Sequence, residues 1–156
     1  METAFTTHRL TRADVSLMEQ LNGVFAVAFD DAEAYTAAPP GDAYLENVLG
    51  MQHVIALVAL TGTAVVGGLV AYELHKLERS RSEIYIYDLA VDGRYRRCGV
   101  ATAMIQELKR VAAARGIYVI FVQADHGDDA AIALYTKLGV RKDVLHFDIS
   151  LRNGAA

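Results

Sequence analysis

Along its 156 residues the chain switches between short runs of β-favouring apolar residues and stretches with helical spacing. Residues 5–10 read as a first strand. Val15, Met18, Leu21 and Phe25 then recur at roughly helical spacing, with Thr11 and Asp14 placed to cap the helix they begin. Asn22-Gly23 interrupts that pattern, so the helix is expected to weaken beyond Leu21. A short helical segment follows, and Pro39-Pro40 stops it. Asp42 is placed to cap a helix over 43–49, which Gly50 ends. Strands are predicted near 53–60, 64–74 and 83–91, the last two separated by the charged loop "HKLERSRS". Val100, Met104, Ile105, Leu108 and Val111 line one face of a helix over 100–115, closed by Gly116. "IYVIFVQA" (117–124) reads as a buried strand, and "DDAAIALYTKLG" (128–139) as a helix ending at Gly139. "VRKDVLHFDIS" (140–150) reads as one or two final strands, and the end of the chain as a loose tail.

Helices and strands are intermixed. The strand–helix–strand unit at 83–124 implies parallel pairing, and the hairpin at 53–74 implies antiparallel pairing. The expected fold is therefore mixed α/β. With neither a repeat nor a linker, residues 1–150 are expected to form one domain, leaving 151–156 as the tail.

Composition narrows the classes. Hydrophobic residues make up 53% and charged residues 22%, so a full core is affordable in size and disorder is not expected. A net charge of −4 argues against nucleic acid or an anionic membrane as partner. It suits a cationic partner, and equally an ordinary soluble protein. Cys98 is the single cysteine and the five histidines are scattered, so neither a disulfide framework nor a metal site is expected. Residues 54–72 carry no charge and approach the length of a membrane span. Thr61-Gly62-Thr63 and Gly67-Gly68 break the run, which reads as a buried hairpin. The N-terminus has no basic and apolar leader, so a cytoplasmic protein is expected.

The stretch "DLAVDGRYRRCGVATAMIQELKR" (88–110) concentrates the chemistry. It runs from a strand through three arginines into a glycine, and then into a helix. A helix start carries unpaired N–H groups and partial positive charge, so an anion docks there readily. Gly99 lets a ligand approach the main chain, and Arg94, Arg96 and Arg97 add charge for phosphates. The implied ligand carries a diphosphate. Neither a Gly-x-Gly-x-x-Gly dinucleotide motif nor a P-loop is present.

The pattern Arg-x-x-Gly-x-Ala at 96–101 resembles the coenzyme A pyrophosphate loop of the GNAT superfamily of N-acetyltransferases. "DDAAIALYTKLGV" resembles that family's second signature, an Asn or Asp before a helix that carries a tyrosine. "SEIYIYDLAV", "YVIFVQAD" followed by "GDD", "ALYTKLG" and "HFDI" together resemble the type I aminoglycoside 3-N-acetyltransferases, from about residue 25 to 150. The resemblance implies a mostly antiparallel sheet of six to seven strands, splayed at the cofactor site, with about four flanking helices. It also implies acetyl-CoA as cofactor, a cationic aminoglycoside as substrate, and a homodimer.

Residue by residue, the resemblance implies that the strand edge at Leu89, Ala90 and Val91 pairs with the pantetheine arm. A backbone N–H near Leu89 or Ala90 would then support the oxyanion. Arg96, Arg97, Cys98, Gly99, Val100, Ala101 and Thr102 would hold the pyrophosphate, joined by Asp128 and Lys137. Tyr135 matches the tyrosine that protonates the leaving thiolate. For the amine, a carboxylate flanked by apolar residues in mid-strand is costly unless paired. That singles out Asp88, with Asp125 next, as proton acceptor directly or through water. Asp30, Asp31, Tyr85, Tyr87 and Asp129 complete the candidate substrate contacts. The stretch "QADHGDD" is longer and more acidic than in many superfamily members, which suits a cationic acceptor. Cys98 lies in the phosphate turn, so direct transfer in a ternary complex is expected. Two alternatives stay open: an acetyltransferase for another polyamine or a protein N-terminus, and a non-catalytic acyl-CoA-binding module.

Overall fold

A computed structural model describes residues 4–151. It divides into two compact units, Met1–Gln123 and Ala124–Ala156. The first unit holds a five-stranded sheet in the order β1-β2-β3-β4-β5. Its strands are β1 (Thr6–Arg9), β2 (Val54–Thr61), β3 (Ala64–His75), β4 (Ser82–Val91) and β5 (Ile120–Val122). The pairs β1–β2, β2–β3 and β3–β4 are antiparallel, and β4–β5 is parallel. The helices of this unit are α1 (Val15–Ala28), α2 (Ala32–Thr36), α3 (Asp42–Leu49) and α4 (Val100–Ala114). The second unit holds α5 (Asp129–Leu138).

β2 is buried on both faces, from Val54 through Ala59, which is why its sequence reads as one apolar run rather than an alternation. Ala56 and Val58 join Met18, Leu21 and Phe25 of α1 and Leu45 of α3 in one hydrophobic cluster. α4 packs on β1, β2, β3 and β4, burying Val100, Met104, Ile105 and Leu108. The uncharged stretch at 54–72 is this hairpin, turning at Gly62-Thr63. Among the described residues, no helix is long and apolar enough to cross a membrane.

α1 runs unbroken through Asn22-Gly23 to Ala28. An interior glycine costs about 1 kcal/mol. Burial of Met18, Leu21 and Phe25, at roughly 1.5–3 kcal/mol per side chain, outweighs it. Other expectations need correction. Among the described residues the sheet has five strands rather than six to seven, and the five α-helices are close to the four or so expected. Residues 140–150 form no strand, and every one of them is exposed. The strand expected over 117–124 contracts to Ile120–Val122, and none of its residues is buried. Period-2 patterning gives a strand its two faces, but a strand also needs a neighbour, and β5 has only β4. Of the expected tail, Leu151 is exposed and the rest lies outside the described residues.

Gly67 and Gly68 let helices close on both faces of β3. A Cβ on Gly67 would lie 3.0 Å from the Ala90 carbonyl oxygen and 3.3 Å from a Val100 methyl, at the start of α4. A Cβ on Gly68 would overlap Leu21 of α1 and lie 2.8 Å from the Leu57 carbonyl oxygen. Because Leu21 is fully buried and Leu57 presents backbone, neither yields easily. Gly68→Ala is expected to lower unfolding free energy by about 2 kcal/mol, the usual cost of overpacking. Urea denaturation checks this; an unchanged midpoint would show that α1 can shift freely.

Candidate active site

The site begins with an irregularity in β4. Val70 pairs with Asp88 and Ala71 with Ile86, so Tyr87 has no partner on β3 and forms a β-bulge. One extra residue reverses the facing of everything after it. Without it, Asp88 would share a face with Ile84 and Ile86. With it, Asp88 faces the same way as its partner Val70, and so shares a face with the neighbouring pair Tyr72 and Tyr85.

Aromatic rings gather on that face. Tyr87 makes edge contacts with Tyr72 at 5.9 Å and Tyr85 at 5.7 Å between ring centroids. Tyr85 stacks on Phe121 at 4.8 Å, and its hydroxyl donates to Gln123 Oε1 at 3.1 Å. Tyr35 of α2 is close enough for the charges of Asp88 and Asp31 to act on it, and burial with those charges pushes its pKa up to about 12. Burial first, then Asp88, raises Tyr72 as well. The Tyr35 and Tyr72 hydroxyls therefore stay protonated at neutral pH and can donate. Asp88 is half-buried, and among the described residues no group hydrogen-bonds or ion-pairs with it. Burial alone raises its pKa.

The bulge coincides with the end of another pairing. β4 and β5 pair only from Ile84/Ile120 to Ile86/Val122. Beyond Ile86 the strands part, while β4 remains paired to β3 through Val91. The backbone of Asp88, Leu89, Ala90 and Val91 is thus open on the β5 side. An extended chain bearing amides can pair there.

β4 leads through Asp92 and one 3₁₀ turn, Gly93–Tyr95, into the start of α4. Asp92 Oδ1 and Oδ2 accept from Arg94 Nε at 3.1 Å and Arg94 Nη2 at 2.9 Å. Asp92 Oδ1 also accepts the Arg94 backbone N–H at 2.9 Å, and these bonds hold its carboxyl down to about 2. Arg94 is therefore paired with Asp92, while its side chain remains largely exposed. Arg96 Nε donates to the Val91 carbonyl at 3.3 Å, leaving the rest of its guanidinium available. Arg97 adopts a left-handed φ of +61°, which costs a non-glycine residue roughly 1–2 kcal/mol. Gly99 follows at φ +79°, where a Cβ would meet no protein atom. No side chain caps α4, so no cap takes up its first N–H groups, at Val100, Ala101 and Thr102. Cys98 is exposed, its thiol against the Arg96 carbonyl at 3.5 Å.

The second unit has its own arrangement. Asp128 Oδ1 accepts the Ala131 N–H at 3.1 Å and caps α5. Its backbone N–H donates to the Asp125 carbonyl at 3.2 Å. Asp129 lies in the first turn of α5 and Lys137 in the last, where charge opposes the helix dipole. Burial first, then the charge of Asp128, raises the Tyr135 phenol, which keeps its proton at neutral pH.

Of the candidates in the first unit, the fold brings Asp88, Tyr85 and Tyr87 together. Asp31 joins them through Tyr35, although its carboxylate also caps α2 by accepting from Ala34 N–H at 3.2 Å. Asp30 stands beside it at a left-handed φ of +50°. Tyr35 and Tyr72 were not foreseen. They come from α2 and β3, and only the β3–β4 register, pairing Tyr72 with Tyr85, could have pointed to one of them.

A family model described as the acetyltransferase (GNAT) family matches residues 18–140. No curated protein matches the chain. Among solved structures, aminoglycoside acetyltransferase HMB0005 from an uncultured soil metagenomic sample is 54% identical, with a TM-score of 0.93 over 96% of this chain and 99% of its own. A second, meta-AAC0020 from an uncultured soil metagenomic sample in complex with sisomicin, is 29% identical, with a TM-score of 0.88 over 95% of this chain and 97% of its own. AAC(6')-Iy in complex with a CoA-containing bisubstrate analogue has a TM-score of 0.73 over 96% of this chain and 99% of its own; at 15% identity the likeness is one of fold.

The raised Asp88 pKa has a definite sign. Its stabilising, protonated form is present below the ordinary carboxylate value of 3.8, and stability is lost as pH rises through the higher folded value. Asp88→Asn is expected to raise the thermal midpoint relative to the parent at pH 7, and this difference should shrink towards zero below pH 3.8. Paired melting curves across pH check this. A variant less stable at pH 7 would mean that Asp88 is held by partners.

Proposed function

The chain belongs to the GNAT family of acetyltransferases, and we propose that it acetylates the 3-amino group of gentamicin-type aminoglycosides, conferring resistance. The observation that carries this reading is Asp88: a half-buried carboxylate without a cation, set among tyrosines on the bulged strand. An ammonium-bearing sugar supplies the missing cation, and tyrosine rings offer faces for it and hydroxyls for its oxygens. The aminoglycoside acetyltransferases of 54% and 29% identity support the substrate class. The strings resembling type I 3-N-acetyltransferases support the 3-position.

Acetyl-CoA, the family's acetyl donor, supplies an activated thioester. The residues present suit it. The open edge of Asp88–Val91 matches pantetheine amides, and the uncapped start of α4, with Arg96 and Arg97, matches a diphosphate. Asp128 and Lys137 are further candidates for cofactor contacts. In this reading Asp88 accepts the ammonium proton, directly or through water, so that the amine nitrogen can attack. Asp125 is the second candidate for that role. Tyr135 holds its proton and gives it to the departing sulfur. Asp30, Asp31 and Asp129 add negative charge for the remaining ammonium groups. We read residues 1–150 as one catalytic domain, which the family match over residues 18–140 supports, and propose that it acts in the cytoplasm as a homodimer.

Acetylation assays with gentamicin, sisomicin, spermidine and a peptide amine, followed by NMR mapping of the modified nitrogen, test the proposal. Turnover of gentamicin at the 3-nitrogen is expected, with Asp88→Asn and Tyr135→Phe each lowering kcat by about 10²-fold. The acid limb of kcat/KM should lie above the ordinary carboxylate value, because Asp88 must be ionised to act. Turnover of spermidine or the peptide, with every aminoglycoside inert, would overturn the substrate assignment.

A further inference from the structure

The C-terminal half of α4 and the end of β1 border an open cleft of about 310 Å³, lined by Arg9, Glu107, Arg110, Val111, Ala114 and Arg115. Glu107, Arg110, Val111 and Ala114 recur at helical spacing and share one face of α4. Arg9 is the last residue of β1, which forms one edge of the sheet. Arg115 directly follows the helix. Three guanidiniums thus line one cleft in a chain whose net charge is −4. The cofactor loop lies at the other end of α4, before Val100.

The surrounding structure does not use up this charge. Arg110 donates from Nε to Glu107 Oε2 at 3.0 Å, and from Nη2 to the same oxygen. Arg115 Nη1 donates to the Gln52 carbonyl at 2.8 Å and to Glu73 Oε2 at 2.6 Å. Among the described residues, Arg110 Nη1, Arg115 Nε and Nη2, and the whole Arg9 guanidinium have no partner. Three arginines against two carboxylates, Glu107 and Glu73, leave one positive charge unmatched. Nor are the arginines needed to cap the helix. The backbone N–H groups of Arg115, Gly116 and Ile117 already donate to the carbonyls of Val111, Ala112 and Ala113. Burial first, then the charge of Arg115, lowers the Arg9 pKa, so Arg9 is held near a like charge with no opposite one beside it.

We infer that this cleft binds a small phosphate monoester, with Arg9 as its principal ionic partner and Val111 and Ala114 against its apolar body. Free donors on three separate arginines suit the three terminal oxygens of a phosphate, whereas a carboxylate is satisfied by a single guanidinium fork. The cleft's volume falls at the lower end of the range for small-molecule sites, about 300–1,000 Å³, which limits the ligand to a compact one. The net negative charge of the chain disfavours nucleic acid or an anionic membrane as the source of the phosphate. All six lining residues belong to β1, α4 and the residue after α4. The inference is independent of the acetyl acceptor.

Arginine Nε–H NMR on the full chain tests this, with coenzyme A present in excess so that phosphate binding at the cofactor loop does not contribute. The probes are phenyl phosphate, inorganic phosphate and benzoate. Phenyl phosphate should shift the Arg9 and Arg115 signals along one saturable curve and bind more tightly than either other probe. Arg9→Gln should weaken its binding by about tenfold or more, the usual loss for a charged hydrogen-bonding partner, and Arg9→Lys should recover part of it. Arg110→Gln, at a side chain that is 78% exposed, gives a second variant in which the fold is not at risk, and it too should weaken binding. Circular dichroism checks that each variant is folded. An arginine that only blunts the β1 edge would give no saturable shift. That result, binding indifferent to both glutamine variants, or inorganic phosphate or benzoate binding as tightly as phenyl phosphate would each overturn the inference.

Discussion

One additional residue in a strand governs the site. Tyr87 has no partner across β3, and from that point β4 is out of phase with its own beginning. The slip moves Asp88 from the face of Ile84 and Ile86 to the face of Tyr72 and Tyr85. It also falls where pairing with β5 stops, so the strand that turns a carboxylate towards one face opens its backbone along the edge. A regular strand could do neither: its alternation would bury the carboxylate among isoleucines, and its second neighbour would occupy its hydrogen-bonding groups.

The surroundings hold that irregularity in place. Gly67 and Gly68, opposite Val91 and Ala90, admit α4 from one face and α1 from the other at close range. The seat of α4 matters because its uncapped first turn follows directly on the open strand. Asp92 locks Arg94 and so shapes the turn between them, while left-handed backbone at Arg97 and Gly99 aims the first N–H groups outward. Strain at Arg97 and burial of an unpaired Asp88 both cost stability. Both occur at the candidate site, the usual place for such costs.

The second unit contrasts with this core. No residue of α5 is buried, and the segment after it is apolar and exposed. A helix with an apolar stripe and a strand with an apolar face both need a surface to cover. The sheet, for its part, ends on an uncharged edge.

The sequence by itself determined most of the elements and the make-up of the loop that opens α4. Strand and helix periods, the Gly62-Thr63 turn, the Asp128 cap and the Arg-x-x-Gly-x-Ala stretch are local properties, set by residues within a few positions of one another. It also singled out Asp88, since a carboxylate in mid-strand is conspicuous without any fold. Only the tertiary structure decided which way Asp88 faces, that Tyr35 and Tyr72 join it, that Arg94 pairs with Asp92, and that 140–150 form no strand. Register, bulges and edges depend on what a neighbouring strand offers, and a neighbour distant in sequence leaves no mark on the local pattern.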